Sequence, residues 1–186
     1  MSGTLRDQFV RAFGEAIADT ALPVLQAAWA SQAARTGFYE EILRSIGDRL
    51  GLSLEKELLI VDFALIGQED RVPRIFIESE NIATSAAQEV RKLCCLSAPL
   101  KILLAVCEWD ETPGVWPSGS LRPQLVTAWR AEVKRHERSG TLVGDVIAVV
   151  AEWRPDHTLR FYSLDLRSAD IPDFTLVHRA TGEVGV

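Results

Sequence analysis

The chain has 186 residues, 47% of them apolar and 25% charged, with a formal net charge of −6. That length suits one domain able to bury roughly 70% of its unfolded surface, and the composition excludes intrinsic disorder and collagen-like repeats. No run approaches the ~18 uncharged apolar residues of a membrane span, and the negative balance excludes coating nucleic acid through the bulk field, though not through a local basic patch.

The opening segment, MSGTLRDQFVRAFGEAIADT, carries acids and no apolar stretch of the signal-peptide kind. Its residues read as helix: the N-terminal helical segment covers 1–34, with Phe9, Phe13, Ile17 and Leu25 as candidate core positions and Pro23 as a break. A second helix is predicted from Phe38 to Leu50, where Phe38, Ile42, Ile46 and Leu50 repeat at fours and Gly51 supplies a stop.

The period then changes. Glu57–Ile66 is a long apolar run, read as a strand, ending in the turn composition Gly67-Gln68-Glu69-Asp70. Pro73 opens a second strand through Arg74–Glu80, and Ser85-x-x-Gln88 reads as a capping box for a helix to Leu96. Leu100–Val106 has the continuous apolar character of a strand buried on both faces. Trp109–Gly119 is loop by composition, a basic helix follows over 120–138, and Val143–Trp153 and Leu159–Leu166 read as two final strands. No repeat, low-complexity tract or Gly/Ser linker marks a boundary. The expected organisation is one α/β domain over 1–186: a mixed central sheet flanked by helices, its core at 36–166 and a C-terminal tail at 167–186.

Side chains alternate along a strand, so Phe76, Glu78 and Glu80 share one face, as do Ile60, Asp62, Ala64 and Ile66 on the preceding run. A hairpin folded symmetrically about Asp70 sets Asp62 opposite Glu78, with Cβ atoms roughly 5 Å apart. Three carboxylates then lie together, and like charges facing one another on a sheet repel. A divalent cation, Mg²⁺ or Mn²⁺, held by Asp62, Glu78 and Glu80 resolves that repulsion. The competing reading is a polar strand face paired with arginines.

These residues resemble the PD-(D/E)xK phosphodiesterase superfamily, with its restriction-endonuclease-like fold. The shared pattern is an acid on one strand (Asp62), acid-x-Lys on the next (Glu78-Ser79-Glu80), then a helix and a buried strand. The likeness covers about Phe38 to Trp109, and Glu80 stands where the family usually has lysine. The resemblance implies that the lysine has moved to the following helix, where Lys92 is the candidate and Lys101 a second. It also implies that Glu40 or Glu41 from the preceding helix is a possible additional acid. A metal-dependent nuclease or related phosphodiesterase is the function implied, and a catalytically silent module that binds a nucleic acid or protein is the alternative.

The basic helix supplies the expected nucleic-acid contacts, Arg122, Arg130, Lys134 and Arg135, with a solvated helix face as the bland alternative. DNA is preferred to RNA as partner, and a homodimer is one compatible assembly. Trp109, Trp116, Trp129 and Trp153 are read as core rather than base-stacking residues. Cys94, Cys95 and Cys107 lack zinc or CxxC spacing and are read as reduced, buried thiols of a cytoplasmic protein. The scattered histidines and the absence of a Walker or dinucleotide loop leave no competing motif.

Overall fold

The computed structural model describes residues 3–167 and 174–181. Three helices come first. Helix α1 (Leu5–Ala18) starts at a capping box in which Thr4 and Asp7 each accept the other's backbone N–H, and α2 (Leu22–Ala28) carries Pro23 in its first turn, where a missing N–H costs nothing. Helix α3 (Gln32–Leu50) begins a turn and a half earlier than its apolar repeat implies, because Ser31 caps Ala34 N. It ends at Gly51, whose φ of 68° is the left-handed conformation that closes a helix.

The sheet runs in chain order: β1 (Leu52–Lys56), β2 (Phe63–Gly67), β3 (Pro73–Glu80), β4 (Leu100–Val106), β5 (Asp145–Trp153), β6 (Thr158–Asp165) and β7 (Phe174–Thr181). Strands β3, β4 and β5 are mutually parallel and every other neighbouring pair is antiparallel. The two parallel connections carry α4 (Ala86–Cys94) and α5 (Arg122–Arg138). Since the strand order advances in one direction, right-handed crossovers must place both helices on one face, and both do pack there, on Ala64, Phe76, Leu103, Ala148 and Val150. Helices α1–α3 cover the other face, where Phe9, Phe13, Leu43 and Ile46 meet Phe63, Leu65, Ile75 and Ile77. The result is the expected mixed α/β sheet flanked by helices.

Four expectations are corrected. The run Glu57–Ile66 is not one strand. It holds the hairpin tip between β1 and β2, closed by Glu57 N donating to Asp62 O at 2.9 Å and Val61 N to Leu58 O at 3.2 Å. The tip contains no Gly, Pro or Asn, and Glu57 and Leu59 adopt left-handed φ of 53° and 59° instead. Part of the segment 167–186 expected as a tail forms β7, paired antiparallel with β6, while 168–173 and 182–186 lie outside the described residues. Ser85 caps no N–H of α4; its hydroxyl donates to Ile82 O within the preceding turn. Finally, Cys94 is buried and Cys107 half-buried, but Cys95 is exposed.

The register of β2 on β3 is the symmetric one. Phe63 pairs with Ile77, Ala64 with Phe76 and Leu65 with Ile75 before a bulge shifts Ile66 onto Pro73. Extended one step, this register sets Asp62 level with Glu78. Both lie at the edge where the three parallel strands end, the edge at which open α/β sheets place their ligands.

Candidate functional site

Glu78 follows Phe76 on the α4 face of β3 and is 2% exposed. A carboxylate in that position requires a partner, and α4 supplies one. Ala86, Val90, Leu93 and Cys94 form the stripe that buries α4 against the sheet, which turns Lys92 along its flank toward β3. The Lys92 ammonium lies 2.7 Å from Glu78 Oε1 and 2.5 Å from Glu89 Oε2. These are close ion pairs without hydrogen-bond alignment at either oxygen.

Asp62 stands across from them, exposed, with Oδ2 accepting the Ser79 N–H at 2.9 Å, which fixes its carboxylate against the end of β3. Burial pushes the Glu78 carboxyl up to about 8; Lys92 pulls it down, and the negative charge of Asp62 adds to the rise. Burial pushes the Lys92 ammonium down, but Glu78 and Glu89 outweigh it and its pKa is raised. Lys92 therefore carries a firmly held proton beside an acid that resists ionisation.

The structure thus brings Asp62, Glu78 and Lys92 together, and adds Glu89, one turn before Lys92 on the same helix. It does not complete the three-carboxylate set. Glu80 is half-buried, and its Oε1 accepts the Ile82 N–H at 2.7 Å, so the acid braces the turn into α4. Among the described residues no group of three His, Cys, Asp or Glu side chains is arranged to hold a metal ion. Glu40 belongs to the opposite side of the sheet, where Lys56 and Arg44 hold its carboxyl below the usual range, and Glu41 is exposed beside it. Lys101 is fully buried and its ammonium donates to Val143 O, well down β4 from the edge.

The basic helix divides. Arg122 is tucked over the Trp109 ring and paired with Glu111 at 2.7 Å, and half-buried Arg130 donates to Asp165 O at 3.3 Å. Lys134 and Arg135 are exposed. Trp109 and Trp129 pack as core, fully buried and stacked at 6.1 Å, and half-buried Trp153 packs against the core of the other face. Half-buried Trp116 lies outside both and donates its indole N–H to Glu152.

One functional-looking residue escaped the sequence reading. Glu152, fully buried in β5, accepts from Trp109 N at 2.7 Å, Asp110 N at 2.6 Å and Trp116 Nε1 at 2.8 Å through one oxygen, and from the Tyr162 hydroxyl at 3.1 Å through the other. It fastens the segment between β4 and α5 over the strand ends. The signal was present: Val146–Ala151 is an apolar run ending in a lone acid, which a buried strand tolerates only if the carboxylate finds partners.

No protein-family model matches the chain, and no curated protein matches it. Among solved structures, the crystal structure of the central domain of yeast acetyl-CoA carboxylase overlaps it at 9% identity and a TM-score of 0.35. The overlap covers 70% of this chain and 22% of that one, a likeness too slight to assign fold or activity.

Proposed function

We propose that the chain is a divalent-metal-dependent phosphodiesterase acting on nucleic acid, a divergent relative of the PD-(D/E)xK enzymes. The observation that carries the reading is the Glu78–Lys92 pair at 2.7 Å, with Asp62 beside it at the ends of the parallel strands. The order of elements also supports it: a helix, a strand preceded directly by Asp62, a strand bearing Glu78 near its end, the helix bearing Lys92, then a buried strand.

The residues fit a Mg²⁺ or Mn²⁺ site of the sparse kind, since Mg²⁺ is commonly held by one or two carboxylates with water and phosphate completing the shell. Asp62 and Glu78 would be those carboxylates, with Glu80 held in reserve by its bond to Ile82 N. A bound ion would polarise a phosphodiester oxygen and acidify nearby water. Glu78, held up to about 8 by burial, ionises more readily beside a cation. Lys92 keeps its proton and neutralises charge that builds on the phosphorus oxygens, while Glu89 fixes where its ammonium points.

The second reading is a silent module, favoured by the absence of a three-carboxylate group among the described residues and by an acid already paired with lysine. Calorimetric titration with Mn²⁺ separates the two. The phosphodiesterase reading expects a binding heat in the parent chain that disappears in Asp62→Asn and Glu78→Gln. A parent chain without Mn²⁺ or Mg²⁺ heat supports the silent module.

A further inference from the structure

The exposed charge beside this site is concentrated where α4 meets α5. Arg91 reaches across from α4 with Nε and Nη2 each 3.1 Å from the Glu132 carboxylate, and Arg135 lies 2.7 Å from the same group. Glu132 is 7% exposed and shared by two arginines whose side chains are 57% and 62% exposed, so the trio presents net positive charge to solvent. On the same helix Lys134, immediately before Arg135, and Arg138, one turn beyond, are exposed and paired with no acid among the described residues, and they border a shallow dent lined also by Ala131 and Ser139. Four cations thus accompany one buried carboxylate, the intervening Glu137 being paired with Arg167, in a chain whose net charge is −6. The strip starts at Arg91, the neighbour of Lys92, and follows α5 to its C-terminal end.

We propose that this strip is the track for the sugar–phosphate backbone of the polymer whose scissile phosphate sits at Asp62, Glu78 and Lys92. This rests on the phosphodiesterase reading and assigns the path of the substrate's backbone to one flank of α4 and α5. From Glu132 to Arg138 the helix advances about 9 Å, and a strand advances about 3.4 Å per nucleotide, so roughly three phosphates lie along it. The contacts differ from those expected from sequence: Arg122 and Arg130 are turned inward, while Arg91 and Arg138 join Lys134 and Arg135. A competing account holds that cations in the last turn of α5 complement the helix dipole. It covers Arg135 and Arg138 but neither Lys134 nor the convergence of Arg91 from another element.

The test uses the full chain carrying Glu78→Gln, in EDTA, so that binding is read without cleavage. Fluorescence anisotropy with a long labelled single-stranded oligonucleotide is measured across a salt series, with and without Lys134→Glu/Arg138→Glu. The expected result is an affinity loss of at least tenfold and a log–log salt slope shallower by about 1.4, since each of the two lost phosphate contacts removes about 0.7. In the otherwise unaltered chain with Mn²⁺, the same pair should raise KM for the oligonucleotide at least tenfold, far more than it changes KM for bis(p-nitrophenyl) phosphate, which is too short to reach the strip. Unchanged affinity and slope, with only a lower melting temperature, would overturn the track in favour of the dipole account. An equal loss of binding to poly-glutamate would overturn it in favour of an acidic protein partner. A chain that binds with the expected slope but hydrolyses nothing with Mn²⁺ would instead count against the metal site.

Discussion

Glu78 is the residue on which the proposed chemistry turns, and its environment makes a measurable demand. Its carboxyl is raised from 4.5 to about 8, first by burial and then by Asp62. The unfolded chain releases that proton near 4.5 while the folded chain keeps it, so the contribution to stability is complete at low pH and is lost as pH rises toward 8. The groups that face it are Asp62, just before β2, and Glu89 and Lys92 from α4; Lys92, with its pKa raised, keeps its proton through this window. We expect the metal-free parent to lose a few kcal/mol of stability, relative to Glu78→Gln, between pH 5 and 8. Parallel melting curves across that range check the sign. A parent that gains stability with pH relative to the mutant would identify the pair as an ordinary salt bridge.

At the level of elements, strand alternation made the face of Glu78 legible and helical spacing put Lys92 on the flank of a buried stripe, but Lys92 was expected only as the displaced lysine that the resemblance implies, and its pairing with Glu78 was not foreseen. The place of Asp62 was legible in register but not in depth. Its apolar surroundings, Leu58–Val61, are a hairpin tip, and the residues that usually announce a turn are missing there. The tip adopts left-handed backbone at Leu59 although that side chain is 69% exposed. Leu59→Gly removes the Cβ conflict and no buried contact, so it should stabilise the chain by about 1 kcal/mol, read as a higher urea midpoint. A lower midpoint would mean that Leu59 packs on something essential. The third carboxylate was misjudged for a related reason. Sequence places Glu80 on the right face, but only the turn into α4 shows that Ile82 N claims it.

Across the whole molecule, three parallel strands end together, and the two connections on one face bring α4 and α5 side by side. That arrangement sets Glu78 at the end of β3, the Glu152-fastened segment at the ends of β4 and β5, and the cations of α4 and α5 along one flank. Length, composition and the order of helices and strands foretold this layout, whereas β1 and β7 were hidden. The β1 sequence, LSLEK, is short and half-polar, and β7 follows a segment without a clear period. No helix among the described residues is long and apolar enough to cross a membrane.

The central claim, that Asp62, Glu78 and Lys92 form a metal-dependent phosphodiesterase site, is met most directly by a cleavage assay. Long labelled DNA and RNA, single- and double-stranded, are incubated with the purified chain in Mn²⁺ or EDTA, alongside Asp62→Asn, Glu78→Gln and Lys92→Met. The account expects strand cleavage in Mn²⁺ only, abolished in both carboxylate variants and reduced by roughly 10²–10³ in Lys92→Met, the loss typical of one electrostatic group at a reacting centre. Cleavage that persists in EDTA or survives Glu78→Gln would contradict it, as would a parent chain that leaves every substrate intact.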